Sequence, residues 1–565
     1  MPKDTEMPSQ KTIPDTYGYG QIFAFSALDG KTSFRNDFVG TLTAKPVGIR
    51  FELKKPVTLY FDTEIQDCNM VTSDTIDIET IFGQLSLVYK NCHTVVGISP
   101  VIPKLQSKYR IKEYGNGTVC GNGKTKLVLR YSKTECGYRF ALAYAKTAKA
   151  AKKEADSALE SDFKDIKNKR LAFYLQQRLQ KSDYDKLYLK CLSVLKGNIY
   201  SPEGKIPCRF TTPDRVPHKN MWLWDSVFHA LALKEFCPEI AEEAIEAVMH
   251  CQKKNGMIPH MMTPYRVSRI TQPPVLAWGV WKVYQKTKDK SFLERMAFKL
   301  SKYLLWDIKH RDHNQNGLPE WKMEQNKHCR CGECGMDNSP RFDNAKKMDA
   351  VDFSCFLAND CLYLSKIFSE LKDGKNATVW KTCNAEISKK INSLLWSEQD
   401  GMYYDLYHTG EHNRTASCAS FLPLFCGIAD KEQAERLIEN LKNKKKFNSP
   451  LPIPSLAMDD KQFSSDMWRG SVWLNYNYLI VQGLKKYGYH AYAEEIKTKT
   501  LSAVKKWYET CGVIYEFYDV FNEESPDKLL RKGVKQQYPD WRMHMHAICD
   551  FGWSAAITLL LILDK

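Results

Sequence analysis

The spacing of apolar residues changes along the chain, and each change marks an element class. Residues 1–16 are polar, carry Pro2, Pro8 and Pro14, and read as a mobile tail. From about Tyr17 to Tyr144 short apolar runs alternate with turns. The runs 57–61, 85–89, 95–98, 126–131 and 138–144 are rich in β-branched and aromatic residues. Gly115-Asn116-Gly117 and Gly121-Asn122-Gly123 punctuate them. This predicts an antiparallel β-sandwich over 17–145. A stretch rich in Lys, Ala, Glu and Asp follows and predicts a helical linker over 146–182.

From about 183 the apolar period becomes 3.6 and stays there to 565, giving about twelve helical patterns. They start near Asp183, Asp225, Glu239, Pro274, Ser291, Asp349, Thr378, Ala416, Lys431, Met467, Ala491 and Ala547. Their connections alternate in length. Short ones fall at Cys237-Pro238, Ala429-Asp430 and Tyr487-Gly488-Tyr489, and long ones at 199–224, 255–273, 310–348, 445–466 and 510–546. Short connections make antiparallel neighbours, so the helices pair into hairpins. If the hairpins close in a ring, every long loop lies on one face. The pattern thus predicts an (α/α)6 toroid over 183–565, with function on the loop face.

Composition narrows the function classes. With 43% hydrophobic and 26% charged residues, the chain is globular. The net charge of +16 raises nucleic acid as a partner, but the lysines are diffuse. The densest runs, 146–153 and 442–446, read as solvated faces, with no zinc-finger or RNA-binding motif beside them. Nucleic acid is therefore not expected. No apolar run reaches the ~20 residues of a membrane span. There is no apolar leader near Met1, so the 18 cysteines are expected to be cytoplasmic thiols.

The long loops hold the candidate chemistry. The first carries Trp222, Trp224 and Asp225; the aspartate is either an N-cap or a partner for sugar hydroxyls beside an aromatic wall. The second ends on Gln272, just before Pro273-Pro274. The third opens as Asp312-His313-Asn314-Gln315-Asn316-Gly317, like a calcium loop, but the glutamate that should end it comes one place late, at Glu324. It reads as an Asx-rich turn. Cys329, Cys331 and Cys334 lack a second ligand pair, so no metal is expected, and no cofactor motif stands out. Next come Asp337 and Asp343, six residues apart in a turn built of Gly, Asn, Ser and Pro. The fifth loop leads into Arg469, Trp473 and Asn477, which share one face if the segment is helical. In the sixth, Glu516 stands among Tyr515, Phe517 and Tyr518, where a carboxylate needs compensation.

Several motifs in matching order resemble glycoside hydrolase family 63, mainly its bacterial branch of mannosylglycerate and glucosylglycerate hydrolases. They are Trp224-Asp225-Ser226, 335–343, Met467-Trp468-Arg469-Gly470, Tyr515-Glu516 and Gly552-Trp553-Ser554. There is a more distant similarity to family 37 trehalases. The resemblance, over 185–565, implies an (α/α)6 toroid that hydrolyses α-glycosidic bonds with inversion. It implies Asp337 as general acid and Glu516 as general base. It also implies a sugar subsite lined by Trp224, Asp225, Gln272, Arg341, Arg469, Trp473 and Trp553. The partner is then a small carbohydrate. Gly332-Glu333-Cys334, Phe342 and the lysine-rich segment after Glu516 depart from the family pattern and bear on substrate choice. A carbohydrate-binding toroid without chemistry and a glycoside phosphorylase are the alternatives.

Overall fold

The computed structural model describes residues 20–122, 125–179, 182–326, 328–345, 347–533 and 546–564. The expected tail lies outside them. The chain divides into two compact units. One runs to Gly197 and takes back Lys505–Ile514; the other holds Asn198–Val504 and everything from Tyr515.

The first unit is a β-sandwich of a five-stranded and an eight-stranded sheet, and among the described residues every strand pairing within each sheet is antiparallel. Strict alternation creates its core. In Val57–Phe61 the first, third and fifth side chains are buried and the other two partly exposed. They meet Ile76, Leu87, Leu129 and Phe140 of the larger sheet. The stretch after the sandwich forms two helices, α1 (Ala148–Leu159) and α2 (Phe163–Gln176). Thr147 caps α1 by accepting from Ala150 N at 3.1 Å. Ala151, Ala155 and Ala158 lie on one face of α1 and pack against Val96, Val128 and Ala141 on the outer face of the larger sheet. Next, α3 (Asp185–Gly197) belongs to this unit, although the 3.6 period already starts there. Its Lys196 is fully buried and donates to Asp74 Oδ2 at 2.6 Å.

The second unit is built from α4 (Leu223–Leu233), α5 (Pro238–His250), α6 (Leu276–Thr287), α7 (Lys290–His310), α8 (Val351–Glu370), α9 (Gly374–Lys390), α10 (Leu422–Cys426), α11 (Lys431–Lys442), α12 (Leu474–Lys486), most of α13 (His490–Cys511) and α14 (Gly552–Leu563). The even-numbered helices touch in cyclic order: α4 on α6, α6 on α8, α8 on α10, α10 on α12, α12 on α14, and α14 back on α4. They form the inner ring, and α5, α7 and α9 pack against its members. This is the (α/α)6 architecture. An inner helix has neighbours on nearly every side, so its sequence is apolar nearly all round. Every residue of α4 is buried, and α14 has no charged residue. Among the described residues no helix is long and apolar enough to cross a membrane.

Two helix starts differ from the sequence pattern. The segment from Met467 is a short 3-10 turn, and α12 begins only at Leu474, with Trp473 as its N-cap. The last inner helix begins at Gly552, not near Ala547.

Candidate active site

The loops leading into the inner helices, together with the loop after Glu516, enclose one cavity of about 100 Å³. Trp222, Trp224, Asp225, Gln272, Asp337, Trp473, Glu516 and Trp553 all line it. Both candidate catalytic carboxylates are therefore present in the same space, as are six of the nine expected subsite residues. A larger hollow of about 870 Å³, lined by Lys444, Lys445, Lys499 and Phe521, holds neither carboxylate nor any tryptophan.

Three loops set the acid candidate. Gly335 has φ +78° and lies against Trp224, where a Cβ would come within 2.2 Å of the indole. Asn338 takes Trp468 N on its side-chain oxygen at 3.0 Å and gives its amide to Asp466 O at 3.3 Å. Arg330 donates its backbone N–H to Asp337 O at 2.9 Å and its guanidinium to Glu324 O, Phe342 O and Ala345 O. The Cys334 thiol donates to Cys331 O at 3.2 Å and accepts from Met336 N at 3.1 Å. Burial pushes the thiols of Cys331 and Cys334 up, so both stay protonated and serve the turn.

Glu516 sits in a short extended stretch rather than a helix. Its N–H donates to Ile548 O at 2.9 Å, and Tyr518 pairs with Val472 through two backbone bonds. The segment that reads as helix from Met467 is thus extended at Val472 because it pairs with the chain carrying Glu516. The carboxylate is buried, and Arg531 supplies the compensation: Nε donates to Oε2 at 2.9 Å and Nη2 to Oε1 at 3.2 Å. Asp337 is paired with the ammonium of Lys532.

The walls suit a sugar. Trp224 and Trp473 meet Trp553 edge to face, at 5.1 and 5.5 Å between centroids. Among the described residues the buried indole N–H groups of Trp222, Trp468 and Trp553, all in the cavity wall, have no partner, which leaves three donors for hydroxyls. Gln272 Oε1 accepts from Trp224 N at 3.3 Å. Asp225 lies in the first turn of α4, whose N-cap is Trp222, so it is not a cap. Burial pushes its carboxyl well above the ordinary range, and the neighbouring Glu516 and Asp214 add to the shift.

Three expected subsite residues lie elsewhere. Arg341 is buried between Asp352 and Asp405, with four bonds of 2.6–3.1 Å, so no donor pair is left for a ligand. Arg469 forks onto Asp343 at 2.8 and 3.2 Å and also donates to Asn338 O, so it braces the acid turn. Asn477 donates to Pro452 O and Thr500 Oγ1 inside the bundle. The shared helical face with Arg469 and Trp473 does not exist, because the helix has not started at Arg469. The Asp312 loop is an Asx turn onto Asn316 N and Gly317 N. Its Asn314 and Asn316 amides bond Asp349, which lies with Glu320 and His408 in a group compact enough to hold a cation.

Arg531, Lys532, His218, Trp468 and Phe551 also line the cavity without being singled out from the sequence. Their signal was weak: two cations in a lysine-rich loop, and one histidine before a Trp-rich turn. Glu516 buried among aromatics was the better clue, since it required a cation.

Comparison with known proteins places the chain. The mannosylglycerate hydrolase MGH1-like glycoside hydrolase domain matches residues 218–534, more than half of the sequence. The chain belongs to that family. This MGH1-like glycoside hydrolase is 27% identical to mannosylglycerate hydrolase MGH1 of Selaginella moellendorffii over 393 residues, which cover 55% of this chain and 77% of the relative. It shares 26% identity over 216 residues with the cytosolic neutral trehalase of Kluyveromyces lactis, covering 35% of this chain and 28% of the trehalase. Its fold matches that of the GH63 mannosylglycerate hydrolase from Thermus thermophilus solved with Tris. There the TM-score is 0.54 and the identity 23%, over 66% of this chain and 99% of that one. The match to the bacterial branch of family 63, and the more distant one to the trehalases, agree with the motif resemblance.

Proposed function

We propose that this MGH1-like glycoside hydrolase cleaves an α-glucosidic or α-mannosidic bond of a small saccharide or glycosylated small molecule, with inversion. The observation that carries the reading is the meeting of Asp337 and Glu516, from different loops, in one tryptophan-walled cavity. In this reading Asp337 gives its proton to the glycosidic oxygen as the C1–O bond breaks. Glu516 takes a proton from the water whose oxygen bonds to C1 from the opposite face. The products are the free sugar of inverted anomeric configuration and the alcohol. Trp222, Trp224, Trp473 and Trp553 would enclose the ring, and Asp225 and Gln272 would bond its hydroxyls. The reading makes a small carbohydrate the partner. It puts the protein in the cytoplasm, where cysteines stay reduced.

Asp337→Asn and Glu516→Gln should each lower kcat by about a thousandfold or more, with circular dichroism and melting unchanged. Turnover near the wild-type rate in either variant overturns the assignment. NMR on a panel of glycosylglycerates, disaccharides and aryl α-glycosides reads the anomeric outcome, and a retained configuration would rule out inversion. One observation favours a phosphorylase: Arg531 and Lys532 place two cations in the cavity, where a phosphate would find donors. Sugar release that requires added phosphate would establish that reading instead.

A further inference from the structure

The two cations that reach the carboxylates are consecutive residues, yet they hold them in different ways. Arg531 is buried and forks onto both oxygens of Glu516. Its Nη2 also lies 3.4 Å from His218 Nε2, and His218 is itself tied to Asp214 at 2.9 Å. A guanidinium never gives up its charge, and a two-point fork in a buried site is hard to displace. Among the described residues the Lys532 ammonium makes one ion pair, to Asp337 Oδ2, and the two side chains are 21% and 19% exposed. That ammonium sits on a flexible four-carbon stem with rotatable donors. Lys532 also takes φ +61°, a left-handed conformation that costs a β-carbon residue energy, so local propensity did not select it.

The two pairs bear oppositely on the chemistry. A general base must be held in place, and Arg531 holds both oxygens of Glu516. A general acid must present an oxygen to the glycosidic oxygen, and the Lys532 ammonium occupies Oδ2 of Asp337. The structure therefore shows a resting arrangement, not the reactive one. The cavity agrees: at about 100 Å³ it is smaller than the ~300 Å³ at which ligand pockets begin. Lys532 must leave Asp337 before a sugar is cleaved. With a neutral leaving group the ion pair is broken without replacement. With a negatively charged one, Lys532 exchanges one anion for another.

We propose that Lys532 is a specificity-determining residue: it locks the general acid at rest, and a leaving group carrying a carboxylate or phosphate draws it off. This rests on the roles given above to Asp337 and Glu516. The test compares kcat/KM for glycosylglycerates, glycosylglycerol phosphates and the matching neutral glycosylglycerols, in the wild type and in Lys532→Met and Lys532→Arg. The wild type should prefer at least one anionic series by tenfold or more. The preferred series shows which anion is accepted. Lys532→Met should lower the anionic-to-neutral ratio at least tenfold, and Lys532→Arg should keep a preference for the anion. Three results overturn the proposal: no preference in the wild type, an unchanged ratio in Lys532→Met, or equal loss on both substrates in that variant. The wild-type measurement stands even if a variant fails to fold. If Asp337→Asn and Glu516→Gln abolish turnover while the ratio does not move, the lock fails and the catalytic assignment survives.

Discussion

Asp337 and Asp343 show how much one side chain's meaning depends on what it touches. Six residues apart in one turn, they look alike in the sequence. In the structure Asp337 lines the cavity, whereas Asp343 takes the fork of Arg469 and braces the turn from behind. Asp343→Asn should therefore lower kcat by about tenfold, far less than Asp337→Asn, because Arg469 still reaches Asn338 O. Equal losses in the two variants would reverse the assignment. Arg341 teaches the same lesson. A buried arginine near a catalytic turn suits a substrate ligand as well as a structural centre. Asp352 and Asp405 decide, since they use both edges of its guanidinium.

At the scale of elements, the inner helices depend on polar groups that fasten one to the next. Asp360 of α8 accepts from Ala277 N and Trp278 N in the first turn of α6. Burial pushes its carboxyl up to about 8, against the opposing backbone N–H groups. In the unfolded chain it would titrate near 3.8. Between those values the unfolded chain releases this proton and the folded protein keeps it, so stability falls as pH rises. An asparagine has no such proton. The melting advantage of wild type over Asp360→Asn should therefore shrink from pH 5 to pH 8, and a constant difference would contradict the shift. Gly335 fastens a loop in a different way, by having no side chain. Gly335→Ala puts a methyl into Trp224 at a positive φ, and should cost about 1–3 kcal/mol in stability as well as activity. Denaturation and kcat measured together would show both losses.

At the scale of the whole molecule, the chain enters the sandwich unit, leaves it after Gly197 and returns for Lys505–Ile514. A buried charge pair helps to hold α3 in that unit. Burial alone would push the Asp74 carboxyl up, but the Lys196 ammonium outweighs it and holds it below its ordinary value. Lys196→Met leaves Asp74 buried without its partner and should cost about 3–5 kcal/mol, seen as a lower Tm. Lys196 is not among the cavity residues, so kcat and KM should not change. An unchanged Tm would show that the pair adds nothing to stability.

The period of the apolar residues and the lengths of the connections determined the architecture: a two-sheet sandwich, then hairpins whose inner members close a ring. Those signals are local, and burial on one strand face or all round a helix writes them directly into the sequence. Asp337 and Glu516 stood out as candidates for a related reason, while their proposed roles came with the motif resemblance. One stands in a turn that glycine, asparagine and proline force, and the other is an acid among aromatics. Side-chain partners were not legible. Only the tertiary structure decided that Trp473 caps its helix, because Val472 is held extended by Tyr518. Only it decided that Arg341, Arg469 and Asn477 spend their donors on the protein itself. And only it brought Arg531 onto Glu516 within one loop and Lys532 onto Asp337 of another, because an ion pair depends on how loops fold and meet, which no local pattern of residues encodes.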